Sequence, residues 1–167
     1  NKSLLNFKIR KKLCESLVMS VFSYCCIVYY PCLGYASRYR LSVAQNNCIR
    51  FIFNLRKFSH VSNTYPIIRW LRVPELIKYY YLIFLHKLIH TGLPTYLRQK
   101  LLFRHNVHDR TIRNSSLLTV PRHTTSIFRR SFSYNAVHIY NGIESHVKNM
   151  SVDSFNKHIK CSHLQSS

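Results

Sequence analysis

Carboxylates, the side chains on which most hydrolases and polymerases depend, are scarce in this sequence. Its 167 residues include only five of them: Glu15, Glu75, Asp109, Glu144 and Asp153. Metal-dependent phosphoryl transfer uses carboxylates converging on paired cations about 4 Å apart, and most glycosidases use a carboxylate pair. The composition therefore disfavours a polymerase, nuclease or glycosidase that acts on its own. We predict no catalytic residue, no metal ligand and no cofactor in this chain.

Cysteine and histidine are more plentiful, but their spacing is not typical of a metal site. There are six cysteines and ten histidines, and no Cys-x-x-Cys pair. The nearest zinc ligand pair is Cys161-x-His163. His86 and His90 are four residues apart but lack the glutamate of a zinc-protease motif, so we interpret both as amphipathic helix surface. No local signature indicates a nucleophilic cysteine, although its partners need not be close in sequence.

The distribution of cysteines indicates a reducing compartment. Five of the six lie in the first third of the chain, at positions 14, 25, 26, 32 and 48, on segments that are typical of apolar helix faces. Three glycines and five prolines are few for a loop-rich disulfide scaffold. We therefore expect buried free thiols and an intracellular protein, nuclear or cytoplasmic and not secreted. Because the sequence begins at Asn1, we expect a processed product or part of a longer protein.

The charge balance indicates a polyanionic partner. Lysine and arginine number 25 against five acids, a formal net charge of +20 at pH 7. Such a surplus repels itself and is best tolerated beside a polyanion. The chain is 47% hydrophobic and 14% aromatic, which is too apolar for a disordered basic tail. We predict a folded protein that binds RNA and DNA through backbone phosphates, with no small-molecule ligand. A basic protein-interaction module without a nucleic-acid role remains an alternative.

The first helical element is predicted from Phe7 to Tyr30, ended by Pro31. Apolar residues recur at intervals of three and four, as in one stripe of an amphipathic helix: Leu13, Leu17, Val21, Tyr24 and Val28. Residues 16–37 carry no charge, and this stretch is long enough to span a membrane. The interior serines and the one-sided stripe favour a buried bundle helix instead, and a small membrane-anchored protein is kept as an alternative.

A second helix is predicted from an N-cap at Ser37 to about Lys57. Its buried stripe is Leu41, Ala44, Cys48, Phe51, Ile52 and Leu55. At 100° per residue a polar ridge without acids forms on the opposite side: Arg40, Asn47, Arg50, Asn54 and Lys57. Because a merely solvated face usually mixes both charge signs, this ridge is a candidate phosphate-binding surface.

Further helices are predicted around 67–71, from Pro74 to a C-terminal Gly92, from Pro94 to Leu102, at 128–141, and from an N-cap at Ser151 through Ile159. Residues 98–130 form a basic, loop-rich connector with one short candidate strand at 117–120. Tyr79, Tyr80 and Tyr81 could stack on bases, but consecutive helical positions point in different directions, which favours packing.

Together these elements predict a mainly α fold, a small bundle of amphipathic helices with a basic loop-rich connector and a candidate short strand. We divide the chain into helical segments at 1–60 and 61–102, a connector at 103–126 and a C-terminal helical segment at 127–167. The candidate nucleic-acid-binding residues lie on the first two helices, the connector and the start of the 128–141 helix: Lys8, Arg10, Lys11, Lys12, Arg40, Arg50, Lys57, Arg98, Lys100, Arg113, Arg122, Arg129 and Arg130.

The order of short motifs along nearly the whole chain resembles the C-terminal region of Jockey-like non-LTR retrotransposon reverse transcriptases. The motifs are Leu13 to Pro31, Gln45-Asn46-x-Cys48-Ile49-Arg50-Phe51, Arg56-Lys57-Phe58-x-His60-Val61, Pro94-x-Tyr96-Leu97, Thr111-x-Arg113, Pro121, Ser131-Phe132 and Ser154-Phe155-x-Lys157-x-x-x-Lys160. One segment departs from the family: its Trp-Asn-x-Leu-Pro is here Tyr140-Asn141-Gly142-Ile143-Glu144, which is consistent with a divergent or decayed copy.

The resemblance implies a function for the parent protein and a position for this piece. In that family the palm, which holds the Tyr-x-Asp-Asp metal site, lies upstream, and the parent RNA-directed DNA polymerase would use Mg²⁺ there. Residues 1–60 would form the thumb that grips the template-primer duplex, and the remainder a C-terminal extension. The expected partners are RNA, DNA and the upstream palm domain.

Overall fold

A computed structural model describes residues 5–107 and 116–165, with side chains to residue 162. The structure is 69% helical, and the described residues form no strand, which confirms the mainly α class. The chain divides into two compact units. The first contains the residues up to Ile77 and those from Cys161 onwards, and the second runs from Lys78 to Lys160.

Four-residue helices lie between the longer ones along the chain. In order they are α1 (Phe7–Cys14), α2 (Ser20–Ser23), α3 (Cys26–Tyr29), α4 (Tyr35–Ile52), α5 (Tyr65–Ile68), α6 (Val73–Thr91), α7 (Thr95–Arg98), α8 (Ser126–Arg129), α9 (Phe132–Asn141), α10 (Ser145–Lys148) and α11 (Val152–Gln165). A π turn at Glu15–Met19 joins α1 to α2, and 3₁₀ turns occupy Tyr30–Cys32, Ser62–Thr64 and Arg104–Asn106.

The predicted single helix from Phe7 to Tyr30 is wrong, because the chain breaks at Tyr24 and Cys25. Cys25 has a left-handed backbone with φ 48°. Serine hydroxyls bond back to the preceding turn, Ser16 to the carbonyl of Lys12 and Ser23 to that of Met19, each at 2.9 Å. Such bonds weaken and bend helices. Beyond the break, the Tyr29 hydroxyl donates to the carbonyl of Phe22 at 2.8 Å, which satisfies a group the broken ladder leaves free.

The apolar stripe of this element, Leu13, Leu17, Val21, Tyr24 and Val28, is exposed, although we expected it to be buried. Leu17 is 67% exposed. The face turned inward carries Cys14, Phe22 and Cys26, with Val18 and Met19 packed against the core. Periodicity identifies two faces, and here the face with the cysteines, Phe22 and Met19 is the packed one.

Two of the five cysteines predicted on apolar helix faces, Cys25 and Cys32, are not buried. All six are free, and Cys14, Cys26 and Cys48 are buried as predicted, but Cys25, Cys32 and Cys161 are exposed. Cys25 lies at the helix break, where the left-handed turn takes it off the packed face. Burial raises the pKa of Cys14 to about 12 and that of Cys26 to about 11, so both buried thiols stay protonated and unreactive near neutral pH.

Helix α4 runs from Tyr35 to Ile52 instead of from Ser37 to Lys57. It ends in a Schellman motif, in which Asn54 takes the left-handed position with φ 55°. The N–H of Leu55 donates to the carbonyl of Arg50 at 2.8 Å, and that of Asn54 to the carbonyl of Phe51 at 3.4 Å. Asn54 and Lys57 therefore do not belong to a helical ridge, and the predicted ridge ends at Arg50.

The core of the first unit lies between α1, α4 and the segment around α5. It contains Cys14, Cys48, Ile49, Ile52, Val61, Tyr65, Ile68 and Trp70. Gln45 is fully buried among these elements, and its amide donates to the carbonyl of Leu71 at 2.8 Å and accepts from the N–H of Val73 at 3.0 Å. Buried amides in native proteins are satisfied in this way, and the bonds tie α4 to the start of α6.

Most of α6, from Lys78 onwards, belongs to the second unit, and the predicted start of the helix at Pro74 and its end before Gly92 are confirmed to within one residue. Gly92, with φ 71°, occupies the C′ position, and its N–H donates to the carbonyl of Leu88 at 3.1 Å. Tyr81 is buried and stacks on Phe132 with ring centroids 5.7 Å apart, so the tyrosine cluster is packing. The predicted cap of α11 is present, with Ser151 Oγ accepting from the N–H of Ser154 at 3.4 Å.

His86 lies in the core of the second unit, which corrects its assignment to a helix surface. It is fully buried and its ring stacks on Phe155 at a centroid distance of 3.8 Å. One ring nitrogen lies 3.0 Å from the carbonyl of Met150, and the other 3.3 Å from the hydroxyl of Tyr140. Desolvation, with His90 as a second cause, lowers the pKa of His86 to about 4. A neutral imidazole, which both donates and accepts, suits these partners.

The candidate strand at 117–120 forms only one antiparallel bridge, between Phe103 and Leu118, among the described residues. The side chain of Asn141 bonds both backbone groups of Leu118, accepting from its N–H at 3.0 Å and donating to its carbonyl at 2.9 Å. The bridge itself is closed by the N–H of Arg104 on the carbonyl of Leu117 at 2.9 Å and the N–H of Thr119 on the carbonyl of Leu102 at 2.7 Å, so Asn141 occupies the opposite edge of the segment, where a further strand would otherwise pair.

Candidate nucleic-acid interface

Helix α1 and the π turn run antiparallel to α4 in the first unit. Arg10 Nη1 donates to the carbonyl of Phe51 at 3.0 Å, and the rings of Phe7 and Phe53 meet edge to face at 5.2 Å. Further along, the sulfur of Cys14 lies 3.9 Å from the carbonyl of Cys48. The start of α1 is therefore beside the end of α4, although the two are some forty residues apart in sequence.

The two segments that form this end of the helix pair carry exposed cations. Lys8 and Lys12 lie one turn apart on α1, and Arg56 and Lys57 follow directly after the Schellman motif of α4; all four are exposed. We name these four residues the basic end. Within the described ranges, none of them forms an ion pair with a carboxylate. Unneutralised, solvent-exposed Lys and Arg side chains are what backbone phosphates bind.

Two arginines predicted to bind phosphate have structural partners instead. The guanidinium of Arg10 is half-buried and bonds the last turn of α4, a favourable place for a cation because helix carbonyls there are unpaired. Arg50 is also half-buried, and its Nε donates to the carbonyl of Ser59 at 3.1 Å while Nη1 donates to Asn47 Oδ1 at 3.0 Å. Both guanidiniums therefore stabilise the backbone of the basic end and present less charge to solvent than the four exposed cations do.

Lys11 and Arg40 are not counted in this set because their surroundings differ. The ammonium of Lys11 is 3.7 Å from Glu15, whose carboxylate also accepts from the indole N–H of Trp70 at 3.1 Å. Arg40 is exposed, but it lines an apolar groove with Val21, Tyr29 and Leu41. Arg40 and Arg50, which were predicted to share a ridge on α4, therefore lie in different environments.

The predicted residues of the second unit are divided in the same way. Arg98 is half-buried, donates to the carbonyl of Leu101 at 3.1 Å and lies 5.4 Å above the ring of Phe103. Lys100, Arg122, Arg129 and Arg130 are exposed. Arg122 lines an open groove with His123, Thr125 and Phe128. Arg113 lies outside the described residues.

The sequence reasoning missed two parts of the surface. Arg56 was recognised only inside a motif, although Asn54, a residue that favours the C′ position, was the signal that the following cations lie in a loop. The exposure of the apolar stripe was also missed. Leu13 and Leu17, with Val18, Asn47 and Phe51, line one apolar groove between α1 and α4, and Val21 and Tyr24 line a second.

Acidic and metal-ligating side chains are not clustered among the described residues. No group of three or more Cys, His, Asp or Glu side chains among residues 5–107 and 116–162 is placed to hold a metal ion. His86 and His90 have rings 4.1 Å apart, but both nitrogens of His86 already face protein oxygens. The carboxylates of Glu15 and Glu144 face Lys11 and His146.

In the described part of the chain no single helix is long and apolar enough to cross a membrane. Phe7–Ser23 and Cys26–Cys32 pass the length and composition test only as a pair, and they are bent by 47° at the break.

Comparison of this chain with family models, curated proteins and solved structures finds no match.

Proposed function

We propose that this chain is a non-catalytic, C-terminal piece of a retrotransposon RNA-directed DNA polymerase that binds template-primer RNA and DNA through backbone phosphates. The basic end is the observation that carries the proposal. Four exposed cations, Lys8, Lys12, Arg56 and Lys57, belong to the two segments that form one end of a helix pair, and none is paired to a carboxylate among the described residues. The motif order of the chain supplies the polymerase context.

The placement of these cations on ordered backbone favours recognition of a phosphate row. Lys8 and Lys12 are spaced by one turn on a helix capped by Asn6, whose side chain accepts from the N–H of Ile9 at 2.9 Å. The segment with Arg56 and Lys57 is held by the Schellman motif and by the Arg50 bond to Ser59. Contacts of this kind fix orientation on a duplex and carry no base preference by themselves.

The exposed apolar stripe has a place in the same proposal. Leu17 and Val21 are exposed apolar side chains before the break at Tyr24 and Cys25, and Val28 is another beyond it. Exposed apolar surface of this kind is typical of interaction sites. In the parent polymerase the palm domain would pack on this stripe, while the basic end remained free for the template-primer.

Salt dependence of binding tests the proposal. We expect the purified chain to bind an RNA–DNA hybrid, with a log-log slope of affinity against salt of about −5 to −7, since six to eight phosphate contacts each release counterions. Fluorescence anisotropy between 50 and 300 mM salt, values chosen to span roughly the useful range of such titrations, gives the slope. A slope near zero, or binding only to proteins at salt levels that abolish nucleic-acid contact, would favour the interaction-module alternative.

A further inference from the structure

Phe58 stands out among the residues that the proposed interface does not use. Its side chain is 85% exposed, although a phenylalanine gains most from burial. It lies between Lys57 and Ser59 in the loop that carries half of the basic end, and the ammonium of Lys57 is 5.5 Å from its ring centroid. An exposed aromatic ring among cations is a typical element of single-strand binding surfaces.

The loop around Phe58 is built to hold the ring outward. The N–H of Ser59 donates to the carbonyl of Arg56 at 3.1 Å, which closes a turn with Lys57 and Phe58 at its two corners. The carbonyl of Ser59 accepts from Arg50 Nε at 3.1 Å, and Leu55, on the other side, packs against the core of the first unit. Both ends of the turn are therefore attached to α4 and its core.

Such attachment matters because it lowers the entropy lost when a ligand orders the loop. A ring on a free loop would gain little from stacking after that cost is subtracted. Here the backbone on both sides of Phe58 is already bonded, and the ring lies next to Arg56 and Lys57, whose charges attract phosphates. A base stacked on Phe58 would thus have its own phosphates close to two cations.

We propose that Phe58 is a stacking site for an unpaired base of a single-stranded RNA or DNA segment, with Arg56 and Lys57 on the flanking phosphates. The inference rests on the proposed function, and it adds a preference that phosphate contacts alone do not give. Bases within a duplex have both faces covered, so the site discriminates single strands, overhangs and template ends from continuous duplex. The discrimination is independent of sequence because every base has a π face.

The test compares Phe58→Leu with the unchanged chain on a 15-nucleotide single strand of oligo(dT) or oligo(U) and on a 15-base-pair duplex. This length covers about one single-strand site. We expect Phe58→Leu to weaken single-strand binding about tenfold or more, because one base–aromatic stack is lost, and to leave duplex affinity and its salt slope unchanged. Phe58→Trp should retain single-strand affinity, and its added indole fluorescence should be quenched by the single strand and not by the duplex.

Tyr35→Leu is the matched control. Tyr35 is 86% exposed and lies at the start of α4, at the opposite end of the helix from the basic end. The control should leave both affinities unchanged. Equal single-strand binding by Phe58→Leu and the unchanged chain overturns the inference and leaves phosphate binding intact. Equal weakening on single strand and duplex also overturns it. If the unchanged chain binds neither probe, the proposed function fails with it.

Discussion

Replacing Lys8, Lys12, Arg56 and Lys57 with alanine together is expected to reduce the magnitude of the salt slope by about three to four units and to weaken binding of an RNA–DNA hybrid roughly a thousandfold near 0.1 M salt. All four side chains are exposed and lie at one end of the α1 and α4 pair. Each cation removed leaves one phosphate with its condensed counterions. Because none has an ion-pair partner within the described ranges, fold stability should change little.

The control for this variant carries the same loss of charge elsewhere. Lys78, Lys87, Lys157 and Lys160 are exposed residues of the second unit, and none is a candidate binding residue. Their replacement with alanine should change the slope by less than about one unit. Equal losses in the two variants would mean that net charge alone drives association and that the basic end is not an interface.

The second large effect is expected in the stability of the second unit as pH falls. Burial against Phe155 lowers the pKa of His86 to about 4 from an ordinary value of 6.5. Between these values the unfolded chain binds a proton that the folded chain does not. The stabilising contribution of the neutral ring is therefore complete above pH 6.5 and declines as the pH falls to 4. The free energy of unfolding should drop by about 1.4 kcal/mol per pH unit, roughly 3 kcal/mol in all.

Urea unfolding at pH 7.0, 6.0, 5.0 and 4.5, values placed roughly across this window, measures the effect. His86→Gln removes the titrating group, so its unfolding free energy should lose most of this pH dependence whatever its baseline. His158→Gln replaces an exposed histidine of α11 and should keep the dependence of the unchanged chain. A flat profile in the unchanged chain, or the same slope in His86→Gln, would show that His86 is not a buried neutral ring.

The helices that the sequence predicts correctly are those with local end signals. Pro74 and Gly92 bracket α6, and Ser151 caps α11, and each of these residues acts within one turn of its own position. The end of α4 was placed too late because Asn54 was read as part of a ridge, whereas its left-handed backbone ends the helix. The sequence has no glycine or proline at Tyr24 and Cys25, so it contains no local signal for the break there.

Which face of an amphipathic helix is buried depends on its partners, and a single chain's pattern does not contain them. The stripe of Leu17 and Val21 is more apolar than the face with Cys14, yet it is Cys14 that packs against Cys48 on α4. His86 was misplaced for the same reason, because its burial depends on Met150 and Tyr140, more than fifty residues away.

The sequence identified the side chains that carry positive charge, but not which of them bond the protein itself. A surplus of cations indicated phosphate binding, and four of the thirteen predicted residues, Arg10, Lys11, Arg50 and Arg98, bond carbonyls, a side-chain amide or a carboxylate of the protein itself. To distinguish a guanidinium that bonds the protein from one that is free to bind a ligand, the position of the accepting oxygen must be known. The start of α1 lies beside the end of α4, as the contact of Phe7 with Phe53 shows, and no local pattern encodes this antiparallel pairing.

Amide chemical-shift mapping by NMR tests the central claim most directly, since it locates the bound nucleic acid residue by residue. On titration of the labelled chain with an RNA–DNA hybrid in dilute buffer, we expect the largest shifts at residues 8–12 and 50–60, around the basic end. Shifts confined to the apolar stripe between Leu13 and Val28, or none at equimolar hybrid, would contradict the account.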